Sequence, residues 1–581
     1  TRSPPKGPHL GPLSVVKVHM QLKRPFSIFW LAAWALTLSI GWLLPNHYPP
    51  WPAFHFDAWI SIVMLAGAAA VILARGLPTR WDSLTLTVGL LVLVPGIQYC
   101  FGLVLLAGTA WVTAAYLLGF LLCLMIGARW ESASPGQVAD GLFLAIGIAA
   151  ILSVGIQIYQ FLQLVPDGWA LWFMGPSVSR PYSNFGQPNQ LATFLVWGLV
   201  ATAWGLLRRQ VHAPVAVLLA LFLLFGIAMT QSRTGWLELI ACLAAAWVWR
   251  RIWPSRWVPL ACTVLFTVFL AYPALLRWLS ELLQTGSDVG LLRVQFREDT
   301  RLTMWRQFID AALQQPVFGY GWYQGSLAQL ASAIDHPSLQ GLYSHSHNLF
   351  LDLVLWCGIP GGLLVIAVLL VWFGRQLRAV RTAESALLVL FLVGVGIHAM
   401  LELPLHYAYM LLPCGLVMGA LNAHHPGRAI ASTGRGVLIA VWLAAALVLS
   451  LIVRDYFRVE ARYQLLRFEW AHIKTVPQGP PDVVLLTQWS EYVRLVQFEP
   501  NDKMTPEELQ WLGKLTALYP SAGNFQKMAS ALVWNGNPDE ARQWLRKACK
   551  LVSVSQCVAV KEAWANQALQ DPRVAAVPWP E

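Results

Sequence analysis

Residues 213–236 read APVAVLLALFLLFGIAMTQSRTGW, an uncharged apolar run over 213–230 followed by Gln, Ser and Arg233. A helix of that length rises about 27 Å, close to the roughly 30 Å hydrocarbon core of a bilayer. The run therefore reads as a membrane span, with Arg233 at its mouth. The connection before it carries Arg208 and Arg209, and the one after the next apolar run carries Arg250, Arg251 and Arg256. Cations gather at every second connection.

Outward from this segment, similar runs recur about thirteen times, at 26–44, 58–74, 81–97, 103–127, 140–163, 190–207, 213–230, 235–252, 257–279, 348–373, 386–402, 405–421 and 436–453. Every connection from an even-numbered span to the next is basic: besides those above, they hold Arg75 and Arg80, Arg129, Arg375 with Arg378 and Arg381, and Arg428 with Arg435. Segments 45–57, 95–102 and 403–404, on the other side, carry few cations or none. The positive-inside bias then puts the N-terminus in the cytoplasm and, with an odd span count, the residues after the last span outside.

Composition agrees. The 581 residues are 57% hydrophobic and 12% charged, with a mean hydropathy of +0.54. Soluble chains carry roughly a quarter charged residues, so lipid must solvate much of this one. Many of the 30 Trp sit at the ends of apolar runs, where an amphipathic ring suits the headgroup layer. The net charge of +11 is spread over short loops, which is orientation signal and not a nucleic-acid-binding face.

The expected fold is an all-α polytopic membrane protein in three parts. Residues 1–19, Pro/Gly-rich and aperiodic, read as a cloning or processing remnant. Residues 20–454 form the transmembrane domain with a long loop at 280–347. In that loop 300–314 reads as an amphipathic helix with Trp305, Phe308, Ile309 and Ala312 on one face. Residues 455–581 form an exported helical domain in which 524–550 resembles a tetratricopeptide helix pair, with Ala529, Gly536, Ala541 and Ala548 at the close-packing positions. The eight Cys show no zinc spacing, and Cys549 and Cys557 are the close pair open to oxidation.

Four constellations carry chemistry, all at the mouths of spans on the low-charge side. The first is Ser344-His345-Ser346-His347-Asn348. A His at a membrane–water boundary can take a proton from a hydroxyl, though a lone His there also serves as a cap or interfacial anchor. The second is cationic: Arg180, Arg233, and Arg293, Arg297, Arg301 and Arg306 of the long loop. Arginine matches phosphate bidentately and stays charged when partly desolvated. Arg297 and Arg306 have acidic neighbours and read as ion-paired; Arg233 has none nearby and reads as functional. The third is FGQPNQ (185–190), where Gln187 and Asn189 either bond sugar or phosphate or cap the next helix, Asn189 being the cap candidate. The fourth is HAMLELPLHYAY (398–409). Its Glu402 is costly at a span end unless it shares an aqueous cavity with His347.

Taken together these motifs resemble the O-linked oligosaccharyltransferases of the PglL type, related to the O-antigen ligases and more distantly to Wzy-type polymerases. The resemblance rests on LPNHYPPW (44–51), SNFGQPNQLA (183–192), QSRTGW (231–236), RLTMW (301–305), PVFGYGW (316–322), HSHNLFLDLVLWCGIPG (345–361) and MLELPLHYAY (400–409) in that order. It implies a GT-C-like helical fold in the bacterial inner membrane with the site facing the periplasm. It also implies a polyprenyl-pyrophosphate glycan donor, an exported acceptor such as a type IV pilin, and no cofactor or metal. By resemblance His347 is the essential His, with His345 in reserve. Arg233 and Arg301 would bind pyrophosphate, with Arg180, Gln187 and Asn189 nearby, and Asn348, Glu402, His406, Tyr407 and Tyr409 would line the site. Gln190 departs from the pattern, since many relatives carry His there. A ligase or polymerase would share this chemistry and differ in acceptor. A lipid-linked glycan transporter would instead show internal repeats and charges near mid-membrane, where here the polar motifs cluster at one face.

Overall fold

Backbone groups within a bilayer must be satisfied by the chain itself, which leaves a long apolar run little choice but helix. The computed structural model describes residues 26–74, 79–164, 171–175, 180–285, 300–471, 473 and 478–580. The segment 1–19, Arg75, Arg293 and Arg297 lie outside the described residues. In chain order the helices are α1 (Ile28–Gly41), α2 (Phe54–Leu73), α3 (Ser83–Leu91), α4 (Val94–Cys100), α5 (Ala107–Ala133), α6 (Gln137–Phe161), α7 (Pro188–Leu207), α8 (Ala213–Thr230), α9 (Arg233–Val248), α10 (Val258–Leu283) and α11 (Thr300–Gln314). They continue with α12 (Gly325–Ser332), α13 (Leu349–Ala379), α14 (Ala383–Ala399), α15 (Ala408–His424), α16 (Arg435–Trp470), α17 (Thr487–Gln497), α18 (Pro506–Leu518), α19 (Ala522–Trp534), α20 (Pro538–Leu551), α21 (Val554–Gln570) and α22 (Pro572–Ala575).

Each of the thirteen apolar runs falls on helix. Among the described residues nine helical stretches are long and apolar enough to cross a membrane, and α1, α14 and α15 are shorter apolar helices. Helix α9, at 16 residues, is shorter than a full span. The chain is a multi-pass helical membrane protein. Its outer helices show the inverted surface this implies: only 11% of the apolar window of α10 and 17% of that of α16 are buried within the molecule. The core lies between α5, α6, α7, α14 and α15, where Trp197 stacks on Phe391 at 4.0 Å. At one end, β1 (Thr79–Trp81) pairs antiparallel with β2 (Ala431–Thr433).

The long loop is built against a break in α13. Gly358 adopts φ +72°, and Pro360 removes the next ladder donor. The backbone freed there is satisfied by the loop after α11: Tyr320 N donates to the Leu355 carbonyl at 2.7 Å and Ile359 N to that of Pro316 at 2.7 Å. Both contacts need glycine. A Cβ on Gly319, itself at φ +69°, would lie 2.3 Å from the Leu355 oxygen, and one on Gly358 2.1 Å from the Val317 oxygen. Helix α11 matches the expected 300–314, but its buried face is Met304, Phe308, Ala311 and Ala312. Ile309 is 50% exposed, one position off the stripe.

The tail packs on the end of the bundle that carries residues 344–348. Helix α16 runs unbroken through 454–455, so the expected boundary falls inside one helix. Buried Asp455 accepts from the amides of Val484, Leu485 and Leu486, fixing the chain's return. The helix pair α19–α20 forms with Ala529 and Ala541 in its core, while Ala548 packs with Leu330 and Ala333 of the loop. Cys549 and Cys557 form a disulfide with Cα atoms 4.9 Å apart. Beside it Lys550 Nζ donates to the His336 carbonyl at 3.0 Å and Ser338 Oγ to that of Lys550 at 3.1 Å.

Candidate active site

Four chain segments converge at this end of the bundle, each held by local chemistry. The first, 180–187, is strapped down by buried amides. Gln160 accepts from Tyr182 N and Ser183 N, and Asn184 Nδ2 donates to the Leu43 carbonyl at 2.7 Å. The ring of His47 bonds the Asn184 carbonyl at 2.6 Å, so the 44–51 motif props the amide motif. Pro188 takes the first position of α7, which makes Gln187 the N-cap: its side chain accepts from Gln190 N at 2.8 Å. This corrects the choice of Asn189 as the cap candidate, which lies two residues too far along. It also leaves the Asn189 amide free to face inward.

The second segment is the start of α9. Ser232 caps it by accepting from Gly235 N, and Arg233 follows as the first helical residue. Arg233 is exposed and has no hydrogen-bond or ion-pair partner among the described residues. The third is 400–407, which leaves α14 with Glu402 N still bonded to the His398 carbonyl at 2.8 Å. The fourth is 344–348. Asn348 caps α13 through Phe350 N and Leu351 N and ties across to the Met400 carbonyl. Ser346 N donates to Asp352 Oδ1 at 2.7 Å, and Trp305 of α11 donates to the Ser346 carbonyl at 2.9 Å. Between these anchors His347 is held at φ +56°, a left-handed conformation costing on the order of 1 kcal/mol for a non-glycine residue.

Glu402 is where the segments meet. Its Oε1 accepts from Arg301 of α11 at 2.7 Å and from Asn189 Nδ2 at 3.4 Å, and its Oε2 lies 3.4 Å from His347 Nε2. Asn189 Oδ1 accepts from Arg180 at 3.0 Å, while Arg180 Nε also donates to the Thr230 carbonyl at 2.7 Å, at the end of α8. One carboxylate thus serves Arg301 directly and Arg180 through Asn189. Burial lowers the Arg180 pKa; Glu402 opposes this and the charge of Arg233 adds to it, which places Arg233 close by. An anion would relieve that excess of positive charge.

The imidazoles form a second tier. His345 and His347 have ring centroids 4.4 Å apart, His345 and His406 5.6 Å, and His406 Nε2 lies 4.0 Å from Asp352 Oδ2. Burial pushes His406 down to about 3 and His345 further still, helped by their neighbouring rings. His347 is also lowered, mainly by burial, with Arg301 reinforcing and Glu402 opposing. All three are neutral at neutral pH. The Nδ1 atoms of His345 and His347 are buried without a partner among the described residues. Among the described residues no three His, Cys, Asp or Glu converge so as to hold a metal ion.

The residues expected from sequence divide accordingly. Arg180, Asn189, Arg301, His347 and Glu402 are joined directly, with Arg233, His345 and His406 adjacent. Gln187 and Asn348 spend their side chains on helix caps. Tyr409 lies in the core, 3% exposed, bonding Gln190 through its hydroxyl and Asp57 through its amide, while Tyr407 sits over it with ring centroids 5.3 Å apart. Sequence reasoning passed over Asp352 and Asp57, although a carboxylate inside an apolar run is itself a signal, and read Trp305 only as part of the apolar face of 300–314.

Comparison with known proteins places the chain among membrane glycan-handling enzymes. The family described as "O-Antigen ligase" matches residues 217–366, "Protein glycosylation ligase" matches 181–204, and "Virulence factor membrane-bound polymerase, C-terminal" matches 386–564. A general O-oligosaccharyltransferase of Acinetobacter baylyi is 30% identical over 525 residues, covering 88% of this chain and 90% of that protein. A ComP-specific O-oligosaccharyltransferase of the same organism is 28% identical over 281 residues, 48% of this chain and 50% of its own length.

Proposed function

The chain belongs to the PglL-type O-linked oligosaccharyltransferase family, and from that membership we propose that it glycosylates an exported protein at the periplasmic face of the bacterial inner membrane. The donor is a polyprenyl-pyrophosphate lipid whose preassembled oligosaccharide moves en bloc to a Ser or Thr hydroxyl of a pilin-like acceptor. The observation that carries this reading is Glu402, which gathers Arg301, Asn189 and His347 from three distant segments into one mouth.

In this mechanism Glu402 holds the Nε2–H of neutral His347 and leaves Nδ1 with its lone pair. Nδ1 is buried and unpartnered, a cost that a substrate hydroxyl relieves by donating to it. The hydroxyl oxygen then attacks the anomeric carbon, its proton passes to His347, and the bond from that carbon to the pyrophosphate oxygen breaks. Arg233, Arg180 and Arg301 bind the pyrophosphate and stabilise the charge it carries away. Helices α17–α22 form an exported helical domain, which packs on the long loop at Ser326, Leu330 and Ala333. Both named relatives are O-oligosaccharyltransferases, which supports a hydroxyl acceptor.

The test is to co-express the full chain with a type IV pilin and a lipid-linked oligosaccharide and to measure the intact mass of the pilin. Addition of one whole glycan is expected, lost in His347→Ala at unchanged membrane abundance. Glycan appearing on a lipid acceptor with the pilin unmodified would move the assignment to the ligase reading.

A further inference from the structure

One helical turn beneath the mouth lies a second polar cluster that the proposed reaction does not use. Thr193 Oγ1 is 2.6 Å from Glu238 Oε1, 2.8 Å from His398 Nδ1 and 3.3 Å from the Asn189 carbonyl. All three side chains are completely buried. They come from α7, α9 and α14. Glu238 Oε2 and His398 Nε2 have no partner, so nothing else among the described residues shares the load.

The three positions are related to the mouth in a regular way. Thr193 lies four residues after Asn189 on α7, Glu238 five after Arg233 on α9, and His398 four before Glu402 at the end of α14. Each is therefore about one turn below a residue proposed to handle the donor. The Glu402 amide is bonded directly to the His398 carbonyl.

Packing alone does not call for such a cluster. Near the next turn of the same interface, α7 and α14 are joined by Trp197, which stacks on Phe391 and donates to its carbonyl at 2.9 Å. An apolar trio would fill the space without the cost of burying a carboxyl, a hydroxyl and an imidazole. Hydrogen bonds differ from apolar contacts in fixing direction and register. Thr193 has one proton for three partners, one of them the Asn189 carbonyl, which only accepts, so Glu238 or His398 must donate to it, and the bonds hold when the three helices keep this relative placement.

We infer that Thr193, Glu238 and His398 are positioning residues, a buried pin that sets α7, α9 and α14 so that Asn189, Arg233 and Glu402 meet the donor pyrophosphate at one spacing. The inference rests on the assignment of those three residues to the donor. Loss of the pin would leave the fold intact and let the mouth residues drift by fractions of an ångström, which is enough to weaken anion binding and the charge stabilisation that follows.

The experiment uses the purified full chain with an undecaprenyl-pyrophosphate oligosaccharide as donor and a type IV pilin as acceptor. Thr193→Val, which keeps the shape and removes the bond, is expected to raise the donor KM about tenfold and lower kcat severalfold, with the acceptor KM unchanged. Thr193→Ser, which restores the hydroxyl, should return both to within about threefold of wild type. On an Asn189→Ala background Thr193→Val should cost severalfold less than it does alone, because one of the three residues the pin places is gone. Wild-type donor KM and kcat in Thr193→Val would overturn the inference. So would a loss that persists in full on the Asn189→Ala background and tracks a lowered melting temperature. An Asn189→Ala enzyme with unchanged donor KM would remove the donor assignment itself, and the pin's role with it.

Discussion

The two ends of the helix bundle handle charge in opposite ways. At the β1–β2 end the charges pair among themselves: Arg208 with Asp140 and Glu384, Arg375 with Asp82, His424 with Glu131. Each of these three has a protein carboxylate within 3.4 Å. At the other end Glu402 serves Arg301, Asn189 and His347, with Arg180 beside them and Arg233 without a partner among the described residues. On the proposed reading the first set of pairs is closed, and the second is left open for an anion. The lesson is that basic residues at span ends look alike in sequence, and only the convergence of Arg180, Arg233 and Arg301 on one mouth sets these apart.

If that contrast is real, the open end should tolerate little. His347→Ala should lower transfer by about 100- to 10,000-fold, the range a general base supplies, with normal membrane abundance. Transfer assays on matched amounts of enzyme check it, and near-wild-type activity would remove His347 from the mechanism. Arg233 comes next. Arg233→Ala should raise the donor KM by about 10- to 100-fold, and Arg233→Lys should recover part of this, since it keeps the charge without the bidentate fork. Equal donor KM in all three would make Arg233 a headgroup anchor and close the open end.

Much of this architecture was legible in sequence because it depends on length and composition alone. An apolar run near 20 residues has one structural solution in lipid, so helices fell where the runs fell. The site residues were legible as types at span mouths, and Glu402 was expected beside His347 on cost alone. Details set by a single neighbour were not. Pro188 moved the helix cap from Asn189 to Gln187, and one residue of helical phase turned Ile309 outward. The Thr193–Glu238–His398 cluster was hidden more deeply. Its partners stand 45 and 205 residues apart, and no periodicity reports a contact across three helices.

The pH response sharpens the comparison further. Burial lowers the His347 pKa below its ordinary 6.5, so the neutral base persists at neutral pH and is lost only as pH falls through that lower value. The acid limb of kcat/KM should therefore lie below pH 6.5, and activity should be flat from there to pH 8. Glu402→Gln removes the one group that opposes the lowering, so the limb should move to still lower pH while the rate on the plateau drops. A limb that moves upward in Glu402→Gln would contradict the arrangement of carboxylate and imidazole described here.

The smallest effect belongs to the closed end. Arg208 meets Asp140 through two nitrogens, both at 3.2 Å, and reaches Glu384 at 3.4 Å, yet 35% of its side chain is exposed. Water and salt screen such pairs, so Arg208→Ala should cost only about 0.5 kcal/mol of stability and leave donor and acceptor kinetics within twofold. Its Asp140 neighbour also accepts from Trp204 Nε1 at 2.9 Å, so that carboxylate keeps a partner when the arginine is gone. Thermal melts in detergent and transfer kinetics on the same preparation measure both quantities. A tenfold fall in transfer at unchanged melting temperature would mean that this end communicates with the mouth, and the division of the bundle into a closed and an open end would fail.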